Sequence, residues 1–314
     1  MKTCTATTSD ATLWLDFLPN ELLAHIRSFI EPDDLVAHVC FYQLSERMEV
    51  YVDDAENYGY WYTLCARNGI GCLSKYEGRD EDSWKQIAFE CAEHAWYCKH
   101  PACGRECLEY NADEVRGVED DLPHLSLGHI LTDADREGTY PSELFKHIDF
   151  RRTSDSWWPS PVLHFKTPGQ NCIGVGTPPC DEGVEAHPII MRSLATFPAV
   201  DRMGLLTFSN LPYVENERGC TIADVLRSMK SMMNECLTMA DMEEWIRCVE
   251  GPSANIFPAT WELEDIFRNV QRVSDLFQVT NWVGLNYVER NEPRMFNFRF
   301  RSRLSPPTPD DCPN

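Results

Sequence analysis

The segment "LDFLPNELLAHIRSFIEPDDLVAHVC", residues 15–40, constrains the fold more than any other. Leu18, Leu22, Leu23, Ile26, Phe29 and Ile30 recur at helical spacing, Pro32, Asp33 and Asp34 interrupt the run, and Leu35, Val36, Val39 and Cys40 begin a second one. The pattern predicts two helices of roughly ten residues each, joined by a proline turn. Helices that short are marginal alone in water, and a pair of them cannot bury their own apolar faces. They must pack on a third element, on a partner, or on both.

Charge narrows the partners. Fifty Asp and Glu stand against 28 Lys and Arg, a net charge of −22. Polyanions are repelled by such a chain, which argues against non-specific binding to nucleic acid or to anionic membranes and leaves basic protein surfaces open. No run approaches the ~18 uninterrupted apolar residues of a membrane span. The polar start "MKTCTATTSDAT" lacks the apolar core of a signal peptide. No Asn-x-Ser/Thr sequon occurs, and the 14 cysteines are dispersed rather than packed into a short disulfide framework. The reading predicts a reduced, intracellular protein, cytoplasmic or nuclear.

At 314 residues the chain has room for about two domains of ~150 residues. Residues 1–13 and 304–314 read as disordered tails. Residues 14–70 read as helical and end in the aromatic cluster "NYGYWYTLCARNGI". The span 71–185 reads as a Cys/His-containing connector, helical over "WKQIAFECAEHAWYC" (84–98) with a stripe of Trp84, Ile87, Ala88, Cys91 and Ala95, then irregular and hard to assign from 99 to 185. Residues 186–303 are clearer. Strands are expected at 204–208 and 213–215. A helix should follow Thr221, with Asp224 three residues on as in a capping box, and Ile222, Val225, Leu226, Met229, Met232, Met233 and Cys236 inward. A second helix is expected after Thr238 with Asp241 in its first turn and Met242, Trp245, Ile246 and Val249 inward, and a third near Thr260 carrying Leu263, Ile266, Phe267 and Val270. Strands at 282–289 and 294–301 close the unit, the last alternating Phe296, Phe298 and Phe300 with Asn297, Arg299 and Arg301. The expected class is α+β: an N-terminal three-helix bundle followed by a mixed C-terminal domain.

Chemistry-bearing residues are few. "CKHPACGREC" gathers Cys98, His100, Cys103 and Cys107, donors of the kind zinc takes. The gaps C-x-H, H-x2-C and C-x3-C are not the usual C-x2-C knuckle, so buried structural thiols compete with a structural zinc site. No P-loop, H-E-x-x-H or G-x-S-x-G occurs, and Gly174 and Gly176 in "GVG" are followed by Pro178 and Pro179 rather than by a helix. A Cys/His hydrolase would need a thiol paired with a base, and nothing pairs them locally. His187, beside Pro188, is a lone histidine and reads as structural. The methionines of 229–242 suit core filling better than a pliable groove. Arg290, Arg294, Arg299, Arg301 and Arg303 form the one basic patch, expected to pair with the chain's own carboxylates. Catalysis is not expected.

"FLPNELLAHIRSFIEPDDLVAHVC" resembles the start of an F-box. Leu18, Pro19, Glu21, Leu22, Leu23, Ile26, Ile30, Asp34, Leu35, Val39 and Cys40 fall on that family's pattern in order, and Trp61 is the candidate for its closing tryptophan, later than usual. The resemblance covers about 16–64. It implies that surplus apolar surface docks on the helical adaptor of an SCF-type ubiquitin ligase, tied to a cullin complex, with Leu18, Pro19, Leu22, Leu23, Ile26, Leu35 and Val39 forming or supporting the adaptor face. The alternative is a plain helical hairpin packed on the rest of the chain. "HPIIMRSLATFPAV", "GCTIADVLRSM" and "WVGLNYVERNEPRMFNFRF" are similar to a domain frequent in proteins of mushroom-forming fungi, over about 186–301, with Cys220 and Ile222 in place of the usual valines. That domain supplies a fold unit and no chemistry. Together the resemblances imply a receptor that brings a protein substrate to the ligase through its C-terminal domain. A scaffold that delivers nothing for degradation, and a zinc-stabilised ligand-binding protein, are the rivals.

Overall fold

The computed structural model describes residues 17–44, 48, 59–98, 103–132, 135, 137–151, 160–163, 184–206, 213–248, 268, 270–288 and 294–302. The chain is α+β, with helices concentrated in the first 121 residues and small sheets woven through the rest.

The predicted helical pair is present as α1 (Asn20–Arg27) and α2 (Leu35–Tyr42). Pro19 is the N-cap of α1, where its missing N–H is not needed. Asp34 caps α2 by accepting from the Ala37 N–H at 2.9 Å. A third helix, α3 (Tyr60–Arg67), starts from Gly59 in the left-handed region at φ 82°. The His38 ring joins these pieces. The Glu31 carbonyl can only accept, so it takes the Nε2 proton at 3.0 Å, and Nδ1 accepts from the Tyr60 hydroxyl at 2.8 Å. Desolvation holds His38 below its ordinary pKa, so the neutral ring that makes both bonds is the favoured one.

Helix α4 (Glu81–Tyr97) matches the expected stripe, burying Trp84, Ile87, Ala88, Cys91 and Ala92 while Ala95 packs partly buried against the core. Asp80 caps it through the Ser83 N–H. Trp61 of α3 is buried against Tyr42 of α2 and Phe89 of α4, with ring centroids 5.1 and 5.6 Å away. Helix α5 (Cys103–Asp121) has no counterpart among the sequence expectations. It buries Cys103, Cys107, Leu108, Asn111, Ala112 and Val115 along one face.

The C-terminal part opens with α6 (Pro188–Arg192) and contains α7 (Ile222–Met232), α8 (Met239–Cys248) and α9 (Val273–Val279). The capping box before α7 is present in both directions. Thr238 and Asp241 make the same reciprocal pair before α8. The Thr238 N–H donates to the Asp241 carboxylate at 2.8 Å, and the Asp241 N–H donates to the Thr238 hydroxyl at 3.2 Å. Met229, Met232, Met233 and Met242 are buried core, whereas Cys236 lies beyond the end of α7 and is exposed. Trp245 and Ile246 belong to α8, but their side chains, Val249 and the helix expected near Thr260 lie outside the described residues; Val270 is buried just before α9.

The main sheet has four strands in the order β8–β7–β10–β9, where β7 is Arg202–Leu206, β8 is Tyr213–Glu215, β9 is Thr280–Val288 and β10 is Met295–Ser302. The β7–β10 pair is parallel and the other two are antiparallel. A bulge opposite Arg299 and Phe300 is made possible by Gly284 at φ 125°. Phe296 and Phe298 face the core, as the alternation predicts. Three two-stranded pairs complete the β content: β1 (Ile130–Leu131) with β6 (Ala199–Val200), β2 (Tyr140–Pro141) with β5 (Thr196–Phe197), and β3 (Ile148–Arg151) with β4 (Ser160–Leu163).

Of the five arginines expected to pair with carboxylates, the side chains of Arg290, Arg299, Arg301 and Arg303 lie outside the described residues. Arg294 is 3% exposed, donating to the Leu131 carbonyl at 3.1 Å and to that of Thr132, with Asp201 at 3.7 Å. Its backbone takes the left-handed region at φ 61° to reach them. One buried cluster runs from Leu23 to Phe298. Bonds cross both of the boundaries expected at 70/71 and 185/186: the Trp61 N–H donates to the Glu81 carboxylate at 2.7 Å, and the Asn111 amide to the Ser193 hydroxyl at 2.8 Å. Arg192, itself buried, pairs with Glu77 at 2.8 Å and Glu90 at 2.9 Å.

Candidate docking stripe and candidate metal centre

Two features stand out from the core. The first is α1, which buries Leu23 alone. Leu22 and Ile26 are 46% and 40% exposed, and Phe17 and Phe29 at either end are 77% and 75% exposed. Leu22 and Ile26 are four apart on α1 and share one face, and Phe29 follows just past the C-cap Ser28. His25 packs on the Phe29 ring edge, with centroids 4.8 Å apart. Leu18 is partly buried and Pro19 exposed, while Leu35 and Val39 sit beneath in the core. Of the seven residues singled out for the adaptor face, Pro19, Leu22 and Ile26 are therefore presented outward, Leu18 straddles the edge, and Leu23, Leu35 and Val39 support from below. Exposed apolar side chains that gather into a patch mark interaction surfaces, whereas scattered single ones do not.

The second feature lies where α4, α5 and α6 converge. His94, Cys98, Cys103 and His187 bring one donor atom each to within 4.8 Å of one another, and this cluster could hold a metal ion. His94 and Cys98 are four residues apart, on the last turn and the C-cap of α4. Cys103 opens α5, and His187 is the N-cap of α6. The close approach of α5 to α4 depends on Gly104, because a Cβ there would stand 2.7 Å from the Ala95 Cα. Cys98 and Cys103 place their sulfurs 2.8 Å apart, and Cys103 lies 3.5 Å from His187 Nε2. The two imidazoles meet at a centroid distance of 4.0 Å.

The donor set differs from the one expected. Cys98 and Cys103 are retained. His100 lies outside the described residues. Cys107 is fully buried one turn further along α5, and its sulfur is not part of the cluster. Burial pushes its thiol pKa well up, the Cys103 and Glu106 charges adding to the effect. His94 and His187 take the remaining places. Spacing could have found His94, since i,i+4 puts it over Cys98 on one helix face. His187 stands 84 residues from Cys103 and gives no local signal.

His187 fixes the proton inventory of the site. Its Nδ1 accepts from the Ile190 N–H at 3.3 Å, so the neutral ring carries its proton on Nε2, facing Cys103. A metal on Nε2 needs that proton moved to Nδ1, which ends the cap bond. A side-chain cap is worth about 1 kcal/mol, against roughly 10–16 kcal/mol for a structural zinc ion. The cap is the weaker claim on the ring.

A cleft of about 590 Å³ lies between the start of α2 and α5, floored by Leu35, Val36, Leu108 and Ala112, with Cys40 and Trp96 on its wall. Burial and Asp34 raise the Cys40 pKa, the wrong direction for a nucleophile. The Cys65, Cys72, Cys91 and Cys220 thiols are likewise raised, chiefly by desolvation. Among the described residues no helix is long and apolar enough to cross a membrane. Comparison with protein-family models, with curated proteins and with solved structures finds no match to this chain.

Proposed function

We propose that the chain is a substrate-recruiting F-box subunit of an SCF-type ubiquitin ligase. In this reading α1, α2 and α3 are the three F-box helices, Trp61 is the closing tryptophan, and the outward face of α1 docks on the helical SCF adaptor. The C-terminal part holds a protein substrate, and the chemistry of ubiquitin transfer belongs to other subunits of the cullin complex. The observation that carries the reading is the exposure of Leu22 and Ile26 on one face of α1, flanked by exposed Phe17 and Phe29, beside the Leu18-Pro19 entry to the helix. A helix that buries one residue of eight is stabilised by what covers the rest. The raised pKa of Cys40, Cys65, Cys72, Cys91, Cys107 and Cys220 argues against any of these thiols serving as a nucleophile.

The His/Cys cluster is read with it as a structural zinc site. Two nitrogen and two sulfur donors suit that ion, and four protein ligands leave no position open for substrate.

The test is binding of the purified full-length chain to purified SCF adaptor, wild type against Leu22→Ser with Ile26→Ser, and against Leu18→Ala with Pro19→Ala. The first pair lies on the surface, so circular dichroism and unfolding midpoint should be unchanged. Affinity is expected to fall about 100-fold or more, as for central apolar anchors of an interface. Wild-type affinity in both variants sinks the assignment.

A further inference from the structure

We propose that His94, Cys98, Cys103 and His187 form one closed Cys2His2 zinc centre, and that the ion fastens the start of α6 to the end of α4 and the start of α5. The proposal rests on the structural-zinc reading above and adds to it the ligand set and the job. Tetrahedral zinc with bonds of about 2.3 Å to sulfur and about 2.0–2.1 Å to nitrogen has ligand–ligand edges of about 3.3–3.8 Å. The 3.5 Å between Cys103 Sγ and His187 Nε2 is already such an edge, and the whole set lies within 4.8 Å. The two sulfurs, 2.8 Å apart, must separate by about 1 Å more to reach a zinc-spanning edge. Cys98 can supply that movement, being the non-helical C-cap of α4 and only partly buried.

The chemistry of the set agrees. Two thiolates and two neutral imidazoles balance the 2+ charge, and a centre of zero net charge is the kind that tolerates burial. Cys103 and His187 are 4% and 1% exposed, so the ion would sit against the core. Soft sulfur with imidazole in tetrahedral array selects zinc over magnesium or calcium, which need oxygen. Binding releases two thiol protons to solvent, and that release makes the affinity fall as pH is lowered. The ligands come from two chain segments separated by more than eighty residues, so the ion closes a long loop as a cross-link does.

Full-length protein prepared under reductant, stripped with chelator and dialysed, is titrated with zinc and separately with cobalt(II). Expected are one ion per chain and a cobalt spectrum with charge-transfer intensity for two thiolates. His94→Ala, at a partly exposed helix end, and Cys98→Ser should each weaken binding about 100-fold or more, whereas Cys107→Ala should leave it within about 3-fold. Chelation should lower the unfolding midpoint of the wild type by about 4 °C from its value at a zinc excess near 100 Kd, and that of Cys98→Ser at the same zinc concentration by less than about 1 °C. Zinc kept by His94→Ala but lost by Cys107→Ala or His100→Ala overturns this ligand set while sparing the zinc reading. No stoichiometric zinc on the wild type overturns both.

Discussion

Gly104→Ala tests the packing that assembles the metal cluster. Its Cβ would meet the Ala95 Cα at 2.7 Å, the Ala95 N at 3.2 Å and the Ile189 Cδ1 at 3.3 Å. The Ile189 methyl can turn away, but the two Ala95 atoms are backbone. Carbon atoms rest about 3.5–4.0 Å apart, so the first turn of α5 has to retreat from α4 by roughly 1 Å. Overpacking of this kind costs about 1–3 kcal/mol, and alanine's better helix propensity returns at most about 1 kcal/mol. The net loss is about 1–2 kcal/mol, or roughly 1.5–3 °C in unfolding midpoint for a chain of this size. Cys103, next along the backbone, moves with the helix. The same retreat changes the spacing of Cys103 from His187 and from Cys98, so zinc affinity should change together with stability. Thermal unfolding with and without chelator reads both effects. Gly138→Ala is the control, since nothing lies within 4 Å of its added Cβ. A Gly104→Ala protein that melts as high as the wild type and keeps its zinc refutes the close contact between α4 and α5.

Two further outcomes follow from buried charges. Glu114 has its pKa raised to about 8 by desolvation, against its bonds from the Glu143 N–H at 2.7 Å and the Ser142 hydroxyl at 3.0 Å. The folded state therefore holds a proton that the unfolded state releases near 4.5, and stability from this group is present below that value and lost as pH rises toward about 8. Glu114→Gln, which imitates the protonated form, should flatten the fall in unfolding midpoint between about pH 5 and 8; an identical pH profile would falsify the assignment. Arg192→Met leaves Glu77 and Glu90 without their shared buried partner. Urea unfolding should show a loss below the ~3–5 kcal/mol of a fully buried pair, because both carboxylates keep about a third of their surface in water. A change of about 0.5 kcal/mol or less, the range of ordinary surface substitutions, would count against the pairing.

What was legible in the sequence was local. The capping pairs Thr221/Asp224 and Thr238/Asp241 act over three residues, and the Phe296/Phe298 alternation over two, so each could be read without knowing the fold. Helix α5 was missed although Cys103, Cys107, Leu108, Asn111, Ala112 and Val115 keep helical period. Its apolar face is built from cysteine, alanine and a buried asparagine among many acids, residue types that carry little of the hydrophobic signal a helix is read from. Which members of the adaptor face stand outward, as Leu22 and Ile26 do, and which support it from the core, as Leu23 does, was hidden for a different reason. A short amphipathic helix with apolar residues on two adjoining faces does not disclose which of them the rest of the chain covers. The half of the metal cluster that comes from His187 depends on the docking of α6 against α4 and α5, a long-range event that spacing cannot encode.

Helix α4 is the element on which both candidate sites depend. Its early turns, with Trp84, Ile87, Ala88 and Phe89, lie under α2 and α3, and its end carries His94 and Cys98. Its 17 residues at ~1.5 Å each span about 25 Å without a break. Under the F-box proposal, a recruiting subunit would raise the local concentration of what it carries, and a stiff span would hold that distance where a flexible linker would blur it. A metal ion that pins the far end of the helix to α6 would then serve the geometry of recruitment as well as stability. The same continuity decides how the docking face should be probed. A chain beginning at residue 71 loses Tyr42 and Trp61 from their packing on Phe89 and bares the core, so its failure to bind an adaptor speaks to folding. Leu22 and Ile26 carry no such duty, since they already face outward. Loss of binding on their substitution alone, in a chain that melts as the wild type does, speaks to docking.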